Sequence, residues 1–550
     1  MKRPQRRLRG SLAAVATAAI AAPLLLAGPA SANTVPTAEA APTHAEPGKP
    51  GKPDRAERKG EQLARTLVRT TTGKGALRHL EEFQRIADAH DGNRAAGTPG
   101  YDASAAYAAR VLERAGYDVT LQYFPFLYRE TVTERLVQLS PEEREIEVRL
   151  MSHTAASPAG GTTAELVEAP TVGEDGAGCT AESFADGDFE GRIALIQRGV
   201  CPFALKQANA AEAGAVGAIV YNNVEGQLNG TLGEPGAGVV PTGGISLADG
   251  EALSAALSAG ETVVVDFEVE EFAEERMTPN VLAETPGGDP SNVIMVGAHL
   301  DSVLEGPGIN DNASGSAGVL ETATQLAKAT KPIGKGKPSP HAGPNKVRFA
   351  LWSAEELGLL GAHHYVDELT EEEREAIALY LNFDMIASPN YGLFVYDGDG
   401  SEGLSGAGPE GSAQIEYLIN GFMEDKGWNP RPTAFSGRSD YGPFIEVGIP
   451  AGGTFTGAEG VKTEAQAELW GGLAGVAYDP CYHAACDDLS NVDVTALDIN
   501  VKVIAYATAR YSWSTASLDR PVPPGPAADP ETADSGGLHG DHDHGHEDAA

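Results

Sequence analysis

Residues 293–301 read Val293-Ile-Met-Val-Gly-Ala-His-Leu-Asp301, an apolar run that ends in a histidine and an aspartate. The run from Val293 to Gly297 predicts a strand that is buried on both faces of a sheet. Polar side chains that come directly after such a strand lie at its carboxyl end, where open α/β sheets bind ligands. The stretch therefore predicts both the class of fold and the place of a functional site.

The alternation of buried strand and helix continues downstream. Further strands are predicted at Val347–Trp352, Ile377–Asn382 and Leu393–Tyr396, and helices at Ser314–Lys328, at Leu357–Val366 and from Asp493 to about Trp513. Upstream, helical patterning begins near Glu61, is interrupted by Gly73 and Gly75, and returns at Leu77–Ala89 and Ser104–Ala115. The pattern predicts an α/β fold with a mixed, mainly parallel central sheet flanked by helices.

Most of the side chains that could bind a metal ion or transfer a proton lie just after predicted strands or in the loops between elements. They are His299, Asp301, Asp311, Glu355, Glu356, Asp384 and His483. Imidazole and carboxylate together suit zinc. Burying so many carboxylates without cations is unfavourable, and two divalent ions would neutralise them. A lone residue of this kind is more often a cap, but the recurrence at successive strand ends favours a metal centre.

Residues 157–272 read as an insertion. Short β-like runs alternate with glycine-rich turns, and the block holds Cys179 and Cys201 but no cluster of candidate catalytic groups. The other two cysteines, Cys481 and Cys486, lie five residues apart. Two local disulfides are the simplest pairing in an exported chain, with structural zinc–thiolate as the alternative.

Both ends of the chain differ in composition from its middle. Residues 1–32 have a basic start, an apolar stretch and Ala30-Ser-Ala32, which predicts a signal peptide; a membrane anchor is the alternative. Residues 33–60 are predicted to be a disordered leader or pro-segment. Residues 518–550 are predicted to be a disordered tail, rich in histidine (His539, His542, His544 and His546), either with loose metal affinity or for metal capture.

The charge balance limits the partners. Asp and Glu number 78 against 40 Lys and Arg, a formal net charge of −38. This disfavours nucleic acid and anionic membranes as partners, and we expect a monomer.

Five segments resemble peptidase family M28, the co-catalytic zinc aminopeptidases. They are Gly297-Ala-His-Leu-Asp-Ser, Gly308-Ile-Asn-Asp-Asn-Ala-Ser-Gly, Trp352-Ser-Ala-Glu-Glu-Leu-Gly, Leu381-Asn-Phe-Asp-Met and Tyr482-His. The likeness covers about 70–150 and 278–515, and the inserted block resembles a protease-associated (PA) domain. It implies a zinc exopeptidase fold in two parts, 61–156 and 273–517, around the insertion.

The resemblance also implies roles. Asp311 would bridge two zinc ions, with His299 and Asp384 on one and Glu356 and His483 on the other. Glu355 would be the general base, Tyr482 would stabilise the oxyanion, and Asp301 would orient His299. The Asp311–Asn312 bond is expected to be cis. Some members bind calcium through the last helix, but Lys502 replaces one of the expected aspartates beside Asp498, so no calcium is predicted there.

For the substrate, the resemblance implies a free N-terminus held near Arg438 and an apolar first-residue pocket lined by Met385, Gly437 and Phe455. Large apolar first residues such as Leu, Phe and Met are therefore expected. Two alternatives remain. A glutamate-carboxypeptidase-like exopeptidase would need basic residues to bind a C-terminal carboxylate, and Arg438 is the one candidate in the sequence. A catalytically inactive binding protein would have lost metal ligands that this sequence keeps.

Overall fold

The structure is a computed structural model that describes residues 54–170, 176–185, 187–233, 235–332, 339 and 341–523. The predicted signal peptide, most of the predicted leader and the four tail histidines lie outside the described residues.

Twelve α-helices are found in the described chain. They are α1 (Arg55–Thr70), α2 (Gly73–Asp88), α3 (Pro99–Ala115), α4 (Phe203–Glu212), α5 (Leu247–Ser258), α6 (Gly315–Ala329), α7 (Leu360–Asp367), α8 (Glu371–Ala376), α9 (Ser412–Glu424), α10 (Gly442–Glu446), α11 (Glu464–Trp470) and α12 (Val494–Tyr511).

Fourteen strands are described. They are β1 (Asp118–Ser140), β2 (Arg144–Ile146), β3 (Arg149–Leu150), β4 (Thr162–Ala169), β5 (Ile193–Gln197), β6 (Gly217–Tyr221), β7 (Thr242–Ile245), β8 (Val264–Glu284), β9 (Asp289–His299), β10 (Asn345–Trp352), β11 (Ile377–Phe383), β12 (Phe394–Tyr396), β13 (Arg431–Thr433) and β14 (Ala451–Phe455).

The main module comprises residues 54–130 and 272–523, and its strands run in the order β13-β12-β14-β11-β9-β10-β8. Within it, β9 pairs in parallel with β10 and β11, and β11 pairs in parallel with β14. The antiparallel pairs are β12 with β14, β10 with β8, and the inner halves of β1 and β8. The prediction of a mixed, mainly parallel sheet is therefore confirmed.

Strand β9 is buried on both faces, as its apolar run predicts. Ile294 and Val296 pack into a core shared with α6 and α12, while Val293 and Met295 pack on the opposite face with α7 and α10. Helices thus cover both sides of the sheet, and the carboxyl ends of β9, β10 and β11 open at one edge.

The inserted module comprises residues 131–271 and has its own sheet, in which β4, β5, β6 and β7 pair in parallel. The outer halves of β1 and β8 form a long antiparallel ribbon that runs from one module into the other. Leu136, Ile146 and Val148 pack in the core of the inserted module together with Phe267. The predicted start at 157 is therefore too late, because the chain enters this core from about residue 131.

Three other boundaries in the structure differ from those that the sequence predicts. Helix α1 begins at Arg55 with a capping box between Asp54 and Glu57, so residues 55–60 are helical rather than leader. Gly73 lies in the first turn of α2, where a Cβ atom would come within 2.9 Å of Asp498 on α12. At the other end, Leu518 is 9% exposed in the main core and Arg520 Nη1 lies 2.5 Å from Glu57 Oε1, so the first residues of the predicted tail are packed.

Both predicted disulfides are present. Cys179 is bonded to Cys201 beside α4, and Cys481 is bonded to Cys486 in the loop before α12. Among the described residues, no helix combines the length and the apolar character needed to cross a bilayer.

Candidate active site

The predicted site residues meet at one edge of the main sheet. His299 is the last residue of β9, Glu355 and Glu356 follow β10, and Asp384 follows β11. Asp311 lies in the irregular turn Ile309–Ser314 that leads into α6. His483 lies in the loop that the Cys481–Cys486 bond closes. The parallel pairing of neighbouring strands is what brings their carboxyl ends together.

Asp311 divides its two carboxylate oxygens between two sets of ligand atoms. Its Oδ1 lies 3.2 Å from His299 Nε2, which is also 3.3 Å from Asp384 Oδ1. Its Oδ2 lies 3.2 Å from His483 Nε2, which is 3.0 Å from Glu356 Oε2. Each half of the site therefore combines one imidazole nitrogen, one carboxylate of its own and one oxygen of Asp311.

The backbone around Asp311 is held by several hydrogen bonds. Asp487 accepts the backbone N–H of Asn310 at 2.8 Å and that of Asp311 at 3.0 Å. The Asp311–Asn312 peptide bond is cis, as expected from the sequence. Asn312 then accepts the backbone N–H of Met385 at 3.1 Å and donates to Phe383 O at 3.0 Å. The turn that carries Asp311 is thus fastened to the end of β11, next to Asp384.

Several buried oxygens face the centre without a hydrogen-bond donor. Asp384 Oδ2 accepts a hydrogen bond from Ser439 Oγ at 2.6 Å, whereas Asp384 Oδ1 has no donor. Glu356 Oε1 also lacks one. Buried carboxylate oxygens without donors are unfavourable unless a cation takes the place of the donor. The donor set of two imidazoles and three carboxylates therefore fits a pair of zinc ions.

Asp301 lies on the Nδ1 side of the His299 ring. It is fully buried, and its Oδ1 lies 3.5 Å from His299 Nδ1. The same oxygen accepts the backbone N–H of Glu355 at 3.3 Å. Ser316 Oγ donates to the backbone oxygen of His299 at 2.6 Å. Asp301 therefore touches both the ring that faces the centre and the segment that carries the two glutamates.

The crowding of acidic groups alters their protonation. Burial raises the pKa of Glu356 to about 7, and burial raises the pKa of Glu355 well above its usual value. Burial acts to lower the pKa of His483, but Glu356 and Asp311 outweigh it and raise that pKa to about 11. Without cations, the site holds more negative charge than its surroundings stabilise.

A cavity of about 400 Å³ opens over these residues. The predicted substrate residues Met385, Gly437, Arg438 and Phe455 line it, as does Tyr482, the predicted oxyanion donor. Arg438 Nη1 donates to Glu459 Oε1 at 2.8 Å, and Arg438 Nη2 donates to the Tyr482 hydroxyl at 3.2 Å. The Tyr482 ring stacks on His483 with 3.8 Å between centroids. Burial raises the pKa of Tyr482 well above 10, so its hydroxyl keeps a proton to donate.

Sequence reasoning missed several polar groups around the centre. Asp440 is fully buried, and neither of its carboxylate oxygens has a hydrogen-bond donor. Its position two residues after Arg438 in the sequence could have indicated it as a site residue. Arg94 is also fully buried; it donates to the backbone oxygens of Leu300, Pro307 and Gly308, between the strand end and the Asp311 turn. Glu459 and Asp487 follow no local pattern that would have indicated them.

Two family models match the chain. The model of peptidase family M28 matches residues 280–508, and that of the PA domain matches residues 162–253, within the inserted module.

Curated relatives match over most of the chain. The chain is 45% identical over 468 residues to a protein of Pseudomonas aeruginosa named "Aminopeptidase", which covers 82% of this chain and 83% of the relative. It is 45% identical over 443 residues to "Leucine aminopeptidase 2" of Arthroderma otae, covering 80% of this chain and 84% of the relative.

Solved structures share the fold. An aminopeptidase from Aneurinibacillus sp. strain AM-1 aligns with a TM-score of 0.62 at 28% identity, over 81% of this chain and 95% of that one. BSAP, a zinc aminopeptidase from Bacillus subtilis, aligns with a TM-score of 0.57 at 27% identity, over 80% and 94%.

Proposed function

This chain belongs to peptidase family M28 and is a zinc-dependent aminopeptidase, and we propose that it acts outside the cell, as a monomer with two zinc ions, on peptides whose first residue is large and apolar. The observation that carries the proposal is the division of the Asp311 oxygens between two histidine-containing ligand sets. A single ion would need only one of these sets.

In the proposed centre, His299 and Asp384 hold one ion, His483 and Glu356 hold the other, and Asp311 joins both. The oxygens of Asp384 and Glu356 that lack donors support this assignment. When bound, two zinc ions supply Lewis acidity, which polarises the scissile carbonyl and makes water a better acid. Asp301 keeps the His299 ring in the orientation that presents Nε2 to the centre.

Glu355 moves the proton in the proposed reaction. Its Oε2 lies 3.9 Å from His299 Nε2, close to the His299 and Asp384 ligand set, and it lines the cavity. The carboxylate takes a proton from the attacking water and delivers it to the nitrogen of the leaving amine. The neighbouring Glu356 faces His483 instead, so the two adjacent glutamates serve different tasks.

Tyr482 and Arg438 complete the proposed site. The Tyr482 hydroxyl accepts from Arg438, which leaves its own proton free to stabilise the oxyanion of the tetrahedral intermediate. The acidic groups of the cavity attract the ammonium group of a free N-terminus, and Arg438 helps position that end of the peptide by holding one of them, Glu459, at the cavity wall.

The substrate preference follows from the cavity wall. Met385 and Phe455 offer apolar surface, and no atom lies within 4 Å of the position that a Cβ atom of Gly437 would take. An apolar wall with free space favours Leu, Phe and Met as first residues, because each gains from burial.

Export is proposed from the basic and apolar start of the chain and from the two disulfides, which persist in oxidising compartments. An intact-mass spectrum of the protein recovered from culture medium tests this, since cleavage after Ala32 gives a defined loss of mass.

The function is tested by the hydrolysis of leucyl-4-nitroanilide with and without 1,10-phenanthroline. We expect hydrolysis that the chelator abolishes and zinc restores, no cleavage of the N-acetylated substrate, and slower cleavage of the glutamyl analogue. Cleavage limited to peptides with a C-terminal glutamate would favour the carboxypeptidase-like alternative, and zinc-loaded protein without any hydrolysis would favour a binding protein.

A further inference from the structure

A second acidic cluster lies after β12, away from the proposed zinc ligands in sequence. The loop that follows Tyr396 reads Asp397-Gly-Asp-Gly-Ser-Glu402, and Glu416 on α9 faces it. One oxygen each of Asp397, Asp399 and Glu416 lies within 4.8 Å of the others. We name this group, with Glu402, the loop cluster.

Asp397 is the residue that distinguishes the loop cluster from a solvated acidic patch. Its exposed fraction is 0%, and no N–H or hydroxyl group donates a hydrogen bond to either carboxylate oxygen. A buried carboxylate in this state is strongly unfavourable unless a cation compensates it. No lysine, arginine or histidine pairs with Asp397, Glu402 or Glu416 in the described part of the chain.

The Glu416 and Asp399 carboxylates of the loop cluster accept hydrogen bonds that fix their positions. Glu416 Oε2 accepts the backbone N–H of Gly398 at 2.9 Å, and its Oε1 accepts Asn420 Nδ2 at 3.1 Å. Asp399 Oδ1 accepts the backbone N–H of Ser401 at 2.8 Å. Burial and the neighbouring Asp397 raise the pKa of Glu402 to about 8. The carboxylates are thus held in place around Asp397, to which the Glu402 carboxyl group hydrogen-bonds and to which no N–H or hydroxyl group donates.

The acidic position on the last helix, Asp498, shows how the chain compensates a carboxylate elsewhere. Asp498 on α12 pairs with Lys502, and its other oxygen accepts the backbone N–H of Gly73 at 2.8 Å. Among the described residues, no lysine compensates Asp397 in the way that Lys502 compensates Asp498.

We propose that the loop cluster binds a calcium ion, with Asp397, Asp399 and Glu416 as carboxylate ligands and Glu402 beside them. The candidate ligands are all hard oxygen donors, with no imidazole or thiolate among them, which favours calcium over zinc. The spacing Asp-x-Asp-x-Ser places a side-chain oxygen at every second residue, as calcium loops do. Calcium sites in extracellular modules bind with dissociation constants of about 10⁻⁴–10⁻³ M.

Binding at this position would order one wall of the active-site cavity. The backbone N–H of Asp397 donates to Thr433 O at 2.8 Å, and that of Phe435 donates to Ser405 Oγ at 3.0 Å. Tyr396, which lines the cavity, stacks on Phe435 with 5.2 Å between centroids. The loop cluster is therefore connected to the cavity through β12 and the segment after β13.

The test is equilibrium dialysis of the zinc-loaded protein against radioactive calcium, in about 0.15 M NaCl to screen the negative charge of the whole chain. We expect one saturable site per chain with a dissociation constant of about 1 mM or below. No saturable binding up to about 10 mM, well above the range of extracellular sites, would overturn the proposal whatever any variant does.

Variants assign the site. Asp397→Asn and Glu416→Gln should lose the saturable binding, while Glu424→Gln, which removes an exposed charge from the same helix α9, should keep it. Binding that survives both cluster substitutions would contradict the assignment.

Thermal melting gives a second readout. Calcium at about 100 times its dissociation constant should raise the Tm of the wild type by about 2 °C and leave the Tm of Asp397→Asn unchanged. In calcium-free buffer, Asp397→Asn should melt no lower than the wild type, because it removes an uncompensated buried charge. A variant that melts lower without calcium and is still stabilised by it would count against the proposal.

Discussion

The main module and the inserted module both contain a sheet of buried parallel strands, but they differ in whether their buried charged groups have hydrogen-bond partners. Among the described residues, the buried carboxylate oxygens without a hydrogen-bond donor all belong to the main module, on Asp301, Glu356, Asp384, Asp397 and Asp440. In the inserted module, Gln207 donates to two backbone oxygens and accepts two backbone N–H groups. In the described part of this module, the buried side-chain atoms without a partner are the hydroxyl oxygens of Thr180 and Ser183, which carry no charge for a cation to compensate.

This difference in buried polar groups distinguishes the module that carries the candidate active site from the module that does not. Strands β5 and β6 of the inserted module end in Gln197 and Tyr221, and no group of candidate metal ligands lies in the part of this module that the structure describes. Strand β9 of the main module ends in His299. The same arrangement of strands thus carries chemistry only where ionisable side chains come at the strand ends. Substitutions in the two modules should accordingly have effects of different kinds.

The largest effect on activity is expected from Glu355→Gln in the main module. Removing the proton acceptor should lower kcat/KM by about 10²–10⁴-fold while the zinc content stays the same. Kinetics with leucyl-4-nitroanilide and metal analysis of the same sample check this. Glu368→Gln, an exposed glutamate at the end of α7, is the matched control. A Glu355→Gln enzyme close to wild-type activity would remove Glu355 from the mechanism.

A somewhat smaller loss is expected from Tyr482→Phe, which keeps the ring that stacks on His483 and removes the hydroxyl. Loss of one donor to the oxyanion should lower kcat by about 10²–10³-fold and leave KM nearly unchanged. Steady-state kinetics separate the two parameters, with the exposed Tyr417→Phe as control. An unchanged kcat, or a loss explained by missing zinc, would show that the hydroxyl has no catalytic role.

The smallest effect on activity is expected from Ile219→Val in β6 of the inserted module. Ile219 is fully buried, and removing one methyl group should lower the free energy of unfolding by about 0.5–1.5 kcal/mol. Ile294→Val in β9, equally buried, is the matched change in the main module. Thermal melting measures both. If Ile219→Val reduced kcat/KM tenfold at a temperature where it is folded, the separation of the modules would be wrong.

The sequence predicts the elements near the site well, because β9, β10 and β11 are short apolar runs with polar residues directly after them. It predicts the β1–β8 ribbon poorly. Only Val119–Phe124 and Val263–Phe267 have the expected apolar pattern, whereas the middle of the ribbon, residues 129–135 and 270–277, has no buried side chain and contains Arg135, which pairs with Asp266 and Glu268. Charged pairs on an exposed ribbon leave no hydrophobic period to detect.

Tertiary contacts explain the other features that the sequence does not predict. Gly75 resembles a helix breaker, yet it lies in α2 where a Cβ atom would come within 2.1 Å of Glu321 on α6. Arg94 and Asp487 act on backbone groups more than 170 residues away in the chain. Such contacts depend on which segments meet in space, and no local pattern records them.

The central claim is that Asp311 bridges two zinc ions. Crystals of the zinc-loaded protein, measured on both sides of the zinc absorption edge, test it most directly. The account predicts two anomalous peaks about 3.5–4 Å apart, one between Asp311, His299 and Asp384 and the other between Asp311, His483 and Glu356. A single peak, or peaks away from Asp311, would contradict it.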